Sequence, residues 1–132
     1  MKSILLVDDD SNTLLAVGMR LKGMGYTVFT AKDAVNAVSA VRKNQPDIAV
    51  IDISLPGGSG FVVAERLRNL IASAATPVVF ITASQDPSLR EQASRLGCVG
   101  FLQKPFDATQ LADTIEMACT MPDTYVASAG AQ

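Results

Sequence analysis

Five short apolar runs, each followed by a stretch whose apolar residues recur every three or four positions, constrain this chain more than any other feature. The runs are Ser3–Val7, Thr27–Ala31, Ile48–Asp52, Val78–Thr82 and Val99–Gln103. They are too short for helices and hold the β-branched and aromatic residues that suit a pleated, buried surface. Between them, Leu14, Gly18 and Leu21, with Leu15, Val17 and Gly25, predict a first helix, and Ala34, Ala37, Val38 and Val41 a second. Phe61, Ala64, Leu67 and Ile71 predict a third, Leu89, Ala93 and Leu96 a fourth, and Leu111, Ile115 and Ala118 a fifth. Strands alternating with helices across short joints imply a parallel sheet with helices on both faces. Right-handed crossovers then leave strand order 2-1-3-4-5 as the common five-stranded outcome. At 132 residues this is a single α/β domain with an ordinary core.

The joints carry the expected punctuation. Asp10 or Ser11 is predicted to cap the first helix, and Gly23 and Gly25 to end it. Asp33 opens the second helix and Asn44-Gln45-Pro46 breaks it. Pro56, Gly57, Gly58 and Gly60 stop regular structure after the central strand, and Ser73–Pro77 closes the third helix. Ala83–Pro87 reads as a loop, Gly97 stops the fourth helix and Asp107 caps the fifth. From Thr120 the periodicity disappears. The expected division is therefore a domain over residues 1–121 and a flexible tail, or the start of a linker, over 122–132.

Composition removes several kinds of chemistry. The chain has no histidine, which excludes Ser-His-Asp and Cys-His machinery and most zinc sites. Cys98 and Cys119 lack metal-ligand spacing and suit reduced packing residues in a cytoplasmic setting. The net charge of −2, with no cluster of Lys and Arg, offers no nucleic-acid footprint. No stretch approaches the roughly 18–20 apolar residues of a membrane span, and the first residues hold acid too early for a signal peptide. The expectation is a soluble, cytoplasmic protein that grips neither DNA nor membrane through this segment. GGSG lacks the Lys-Ser/Thr ending of a phosphate-binding loop and the dinucleotide pattern GxGxxG.

Polar residues stand at the exits of the predicted strands. Asp8 and Asp9 follow the first, Asp52 ends the third, Thr82 ends the fourth and Lys104 follows the fifth. In a parallel sheet these exits share one edge, and strands one and three adjoin where the winding reverses. Two unit charges 4 Å apart repel by about 4 kcal/mol at an effective dielectric of 20. Clustered carboxylates therefore stay partly protonated or hold a cation among them. Oxygen-only ligands of limited number suit Mg2+, with Lys104 as a compensating charge. A carboxylate nucleophile facing Mg2+, an ammonium and a hydroxyl suits phosphoryl transfer, where positioning and neutralisation do most of the work.

Four motifs in order, ILLVDDD, DISLPGGSG, VVFITAS and FLQKPFD, resemble the receiver domain of two-component response regulators from about Lys2 to Met121. The resemblance implies a flavodoxin-like fold with Asp52 as phosphoacceptor, taking phosphate from a sensor histidine kinase, a phosphotransfer protein or a small acyl phosphate. It implies Mg2+ held by Asp9 directly, by Asp8 largely through water, by Asp52 and by the Ser54 backbone carbonyl. Lys104 would pair with the phosphoryl group, and the Lys104–Pro105 bond would be cis. Such a domain is no enzyme for other substrates and promotes only its own phosphorylation and dephosphorylation.

The resemblance also implies a switch. Phosphorylation adds about −1.5 to −2 of charge; Thr82 moves inward, and Phe101 swings into the space it vacates. Small Ala83 leaves access to Asp52. The readout is a rearranged fourth helix, fifth strand and fifth helix, controlling a downstream protein or output domain, with a phosphorylation-dependent homodimer as a further expectation. Phe101 stands where Tyr is common and lacks its hydroxyl, and Leu55 stands where Met is frequent. Gly57-Gly58 loosens the loop, and Ser54 and Ser84 occupy positions that tune phosphate lifetime. A strand starting beside Met1 favours a stand-alone regulator or an N-terminal piece over the tail of a hybrid kinase. Two other readings compete: an Mg2+-dependent phosphatase with an aspartyl-phosphate intermediate, which would want an acid at Ser54, and a docking pseudo-receiver that is never phosphorylated.

Overall fold

The computed structural model describes residues 2–55, 59–70 and 73–120. In chain order the elements are β1 (Ser3–Val7), α1 (Ser11–Gly23), β2 (Thr27–Ala31), α2 (Ala34–Asn44) and β3 (Ile48–Asp52). There follow α3 (Gly60–Asn69), β4 (Val78–Thr82), α4 (Pro87–Arg95), β5 (Gly100–Gln103) and α5 (Ala108–Thr120). All strand pairs are parallel and the order is β2-β1-β3-β4-β5, as the alternation predicts.

Period-2 alternation within each strand builds two cores, one on each face of the sheet. Leu5, Val7, Ala49, Ile51, Val78 and Phe80 face α2, α3 and α4 and pack with Ala37, Val41, Val63, Leu67 and Ala93. Ile4, Leu6, Ile48, Val50, Val79 and Ile81 face α1 and α5 and pack with Leu14, Val17, Leu21, Leu111 and Ile115. Every residue of β3 and β4 is buried, which explains why those strands read as unbroken apolar runs. β2 pairs only with β1 and is half exposed, an edge strand. The cysteines are free and half-buried, Cys98 against one core and Cys119 against the other.

The local corrections are small and have physical reasons. Asp10, not Ser11, caps α1, its carboxylate accepting from the Asn12 N–H at 2.9 Å. Gly25 lies beyond the helix, with φ +98°, a conformation that glycine adopts without a Cβ penalty. Leu15 points outward and is 65% exposed, because only the Leu14, Val17, Gly18 and Leu21 stripe meets the sheet. α4 starts at Pro87 rather than after it; proline's missing N–H costs nothing in the first turn, and Asp86 caps it through Ser88. β5 starts at Gly100, one residue later than expected. Asp107 caps α5 reciprocally: its carboxylate accepts from the Gln110 N–H while the Gln110 side chain accepts from the Asp107 N–H. α3 ends at Asn69; the Ile71, Pro56–Gly58 and 122–132 expectations fall outside the described residues.

Candidate phosphoacceptor site

Parallel register is what converges the polar residues. Val7 pairs with Ile51 and Asp52 with Ile81, so β1, β3 and β4 end together at one edge of the sheet. Thr82 pairs with Gln103, and the Lys104 N–H bonds the Thr82 carbonyl at 2.7 Å, which brings Lys104 to the same edge. Asp8, Asp9 and Asp52 each bring a carboxylate oxygen to within 4.8 Å of the others. Asp8 and Asp52 are buried and Asp9 is exposed, so the cluster has a floor and an open side. Beside it a groove of about 360 Å³, lined by Asn12, Thr13, Arg20, Lys104 and Phe106, opens to solvent.

Each buried carboxylate is fully engaged. The Asp10 N–H donates to Asp8 Oδ1 at 2.9 Å, and Lys104 Nζ donates to Asp8 Oδ2 at 2.7 Å. The Ser54 N–H donates to Asp52 Oδ1 at 2.9 Å, and Lys104 Nζ donates to Asp52 Oδ2 at 3.1 Å. Lys104 is therefore bonded directly to both acids, a tighter role than a compensating charge nearby. Burial pushes the Asp52 carboxyl above its ordinary pKa; the Ser54 N–H and Lys104 pull it down, and Asp8 adds to the rise. Burial also works against the Lys104 ammonium, but its bonds to Asp8 and Asp52 outweigh that and hold its pKa above the ordinary value. Both partners thus move upward for different reasons, Asp52 chiefly through burial and Lys104 through its bonds to the two acids.

The remaining expected residues lie at the same edge with distinct contacts. Thr82 is fully buried; its hydroxyl accepts from the Ser84 N–H at 3.1 Å and makes no hydrogen bond to Asp52. Ser54 and Ser84 are exposed, and Ala83 is exposed beside Thr82. Phe101 is half-buried in β5, opposite Phe80 of β4, with the Arg90 guanidinium 4.5 Å from its ring centroid. The Lys104–Pro105 peptide is cis. Asp10 stays outside the carboxylate cluster, occupied as the α1 cap.

Two participants escape sequence reasoning. Gly60, the first residue of α3, lies so close to β3 that a Cβ there would sit 2.3 Å from the Asp52 carbonyl oxygen. The Gly60 N–H also bonds the Ile53 carbonyl at 2.8 Å, seating α3 on the backbone that carries Asp52. The glycine is visible in the sequence, but the close approach it permits is not. Arg90 carries no local signal either, because its partner Phe101 is on another element.

The family model for the response regulator receiver domain matches residues 4–116. The chain belongs to that family. Protein PilH of Pseudomonas aeruginosa is 30% identical over 115 residues, covering 87% of this chain and 95% of PilH. The transcriptional regulatory protein KdpE of Mycobacterium tuberculosis is 33% identical over 106 residues, covering 80% of this chain but 46% of KdpE. The chain thus spans nearly all of one relative and about half of the other. Among solved structures, the chemotaxis response regulator CheY4 of Vibrio cholerae superposes with a TM-score of 0.83 at 28% identity, over 89% of this chain and 98% of that one. The receiver-domain fold is therefore shared along the chain, and a phosphoryl-accepting switch is the general role of the family.

The residues present fit a divalent cation. The cluster offers carboxylate oxygens alone, with one acid facing solvent, which is the donor chemistry of a hard ion that retains several waters. No helix among the described residues is long and apolar enough to cross a membrane.

Proposed function

We propose that this receiver domain accepts a phosphoryl group on Asp52 and transmits it as a change in the α4, β5 and α5 face. The observation that carries the reading is the pairing of a buried Asp52 with Lys104 beside two further acids on one open edge. A carboxylate oxygen of Asp52 attacks phosphorus of an acyl phosphate or of a phosphohistidine on a donor protein. The P–O or P–N bond to the donor breaks as the new P–O bond forms, and acetate or the histidine leaves. Lys104, already bonded to Asp52, pairs with the added charge. Asp8, Asp9, Asp52 and the Ser54 backbone carbonyl would hold Mg2+, which when bound neutralises charge on the transferring group.

Thr82 and Phe101 carry the response. The Thr82 hydroxyl, free of Asp52 in this arrangement, turns to a phosphoryl oxygen, and Phe101 follows into the space it leaves. The event biases a two-state element and leaves the fold unchanged. A sensor histidine kinase or phosphotransfer protein is the donor class, and a partner protein or output domain reads the altered face. KdpE, a transcriptional regulatory protein, is about twice as long as the stretch this chain matches, which leaves room there for a segment that reads such a face.

Incubation with acetyl phosphate and Mg2+, followed by intact-mass measurement, tests the reading. A gain of one phosphate that Asp52→Asn abolishes is the expected result. Turnover of many phosphate esters to free phosphate would point to a phosphatase, and an unchanged mass to a docking module.

A further inference from the structure

We infer that Arg90 is a positioning residue that latches Phe101 in the resting arrangement and so sets how readily Asp52 is phosphorylated. The inference rests on the switch reading of Phe101 given above. The Arg90 guanidinium stands over the Phe101 ring, 4.5 Å from its centroid, well inside cation–π range. Phe101 carries no hydroxyl, so no hydrogen bond from its ring tip holds it in place. A cation on its outer face is the polar contact that remains.

The Arg90 charge also reaches the Cys98 thiol, which burial keeps protonated and which therefore makes no strong claim on a cation. Arg90 is exposed near the start of α4, where the positive end of the helix dipole disfavours a cation. Among the described residues no carboxylate is within ion-pair distance of it, whereas Arg95, further along the same helix, pairs with Glu91 at 2.6 Å. α4 itself is weakly anchored: Ala93 is its one buried residue, and Leu89 and Leu96 at either end are only half-buried. Phe101 packs against the same core cluster as Ala93, Leu89 and Leu96, and the Arg90 contact adds a polar link from the helix to β5. If the ring leaves its place, that contact is lost. Removing the guanidinium lowers the cost of leaving, and any ligand selecting the displaced ring binds more tightly.

The test titrates the full chain with beryllofluoride and Mg2+, a phosphoryl mimic, and follows amide resonances by NMR. Arg90→Met, which keeps the stem and removes the charge, is expected to tighten apparent affinity roughly two- to fivefold, the strength of an exposed cation–π contact. Arg90→Lys should fall between parent and Arg90→Met, because an ammonium keeps the charge but not the planar stack. In a Phe101→Leu background Arg90→Met should give no tightening, leaving at most the slight weakening that loss of a surface cation causes. Loss of a surface cation by itself would weaken binding of an anion, so the sign separates a latch from plain charge. Unchanged or weaker binding by Arg90→Met would overturn the latch, as would equal tightening in the Phe101→Leu background. A parent protein that does not bind beryllofluoride would instead overturn the phosphoacceptor reading, and the latch with it.

Discussion

Replacing Lys104 by methionine keeps the aliphatic stem and removes the ammonium that bridges Asp8 and Asp52. That ammonium lies 2.7 Å from one carboxylate and 3.1 Å from the other, and Asp8 is completely buried. Removing one partner of a buried pair costs about 3–5 kcal/mol because the other charge is left uncompensated. The Lys104 side chain is 21% exposed, which places the loss near the lower end. At about 3 kcal/mol, and roughly 3–5 °C per kcal/mol for a domain of this size, the melting temperature should fall by about 10–15 °C. The loss should also depend on pH. Without Lys104 the two acids repel, and the folded state raises the pKa of one of them above its unfolded value near 3.9. A carboxyl raised by folding keeps its stabilising contribution below the unfolded value and loses it as pH rises through the folded value. The deficit is therefore largest at about pH 7.5 and shrinks towards pH 5. Thermal melts by circular dichroism, run in EDTA at both pH values, measure it. A melting temperature within about 2 °C of the parent at the higher pH would refute the reasoning, as would a deficit that grows on acidification.

Three further outcomes follow from the same geometry. Asp52→Asn should abolish acetyl-phosphate labelling yet melt higher than the parent at neutral pH, since burial makes the charge on Asp52 a cost there; the gap should close as pH falls through the Asp52 pKa and the parent carboxyl becomes neutral, which melts across pH will show. Gly60→Ala drives a methyl to 2.3 Å from the Asp52 carbonyl oxygen, so backbone must shift; urea titration should show a loss of about 3 kcal/mol and labelling should slow by roughly ten- to hundredfold. Thr82→Ala removes the acceptor for the Ser84 N–H, at about 1 kcal/mol, and should leave labelling of Asp52 intact while beryllofluoride no longer shifts the amide resonances of α4 and β5.

The periodicities of the apolar residues were enough to determine the α/β class, the element order and the two-sided core. Hydrophobic spacing is a local property, and the strands fully buried on both faces announce themselves as uninterrupted runs. Helix caps were nearly as legible, because capping chemistry sits within three residues of the helix start: Asp10, Asp33 and Asp107 each bond a neighbouring N–H, whereas the Asp86 cap lay inside a stretch that reads as loop. The carboxylate site was readable one step further on, since parallel strands must end at a common edge and five polar residues stood at those ends.

What the tertiary structure alone decided is how those residues divide one another's bonds. That Lys104 sits nearer Asp8 than Asp52 depends on distances between three strands, which no local pattern carries. The seating of Gly60 against the Asp52 backbone and of Arg90 over Phe101 are likewise contacts between separate elements, set by how α3 and α4 lie on the sheet. Sequence determines which chemistries reach the edge of this sheet, because side-chain identity and period are written along the chain. Packing determines their mutual distances, because Coulomb and ring contacts vary over fractions of an ångström that only the assembled layers specify.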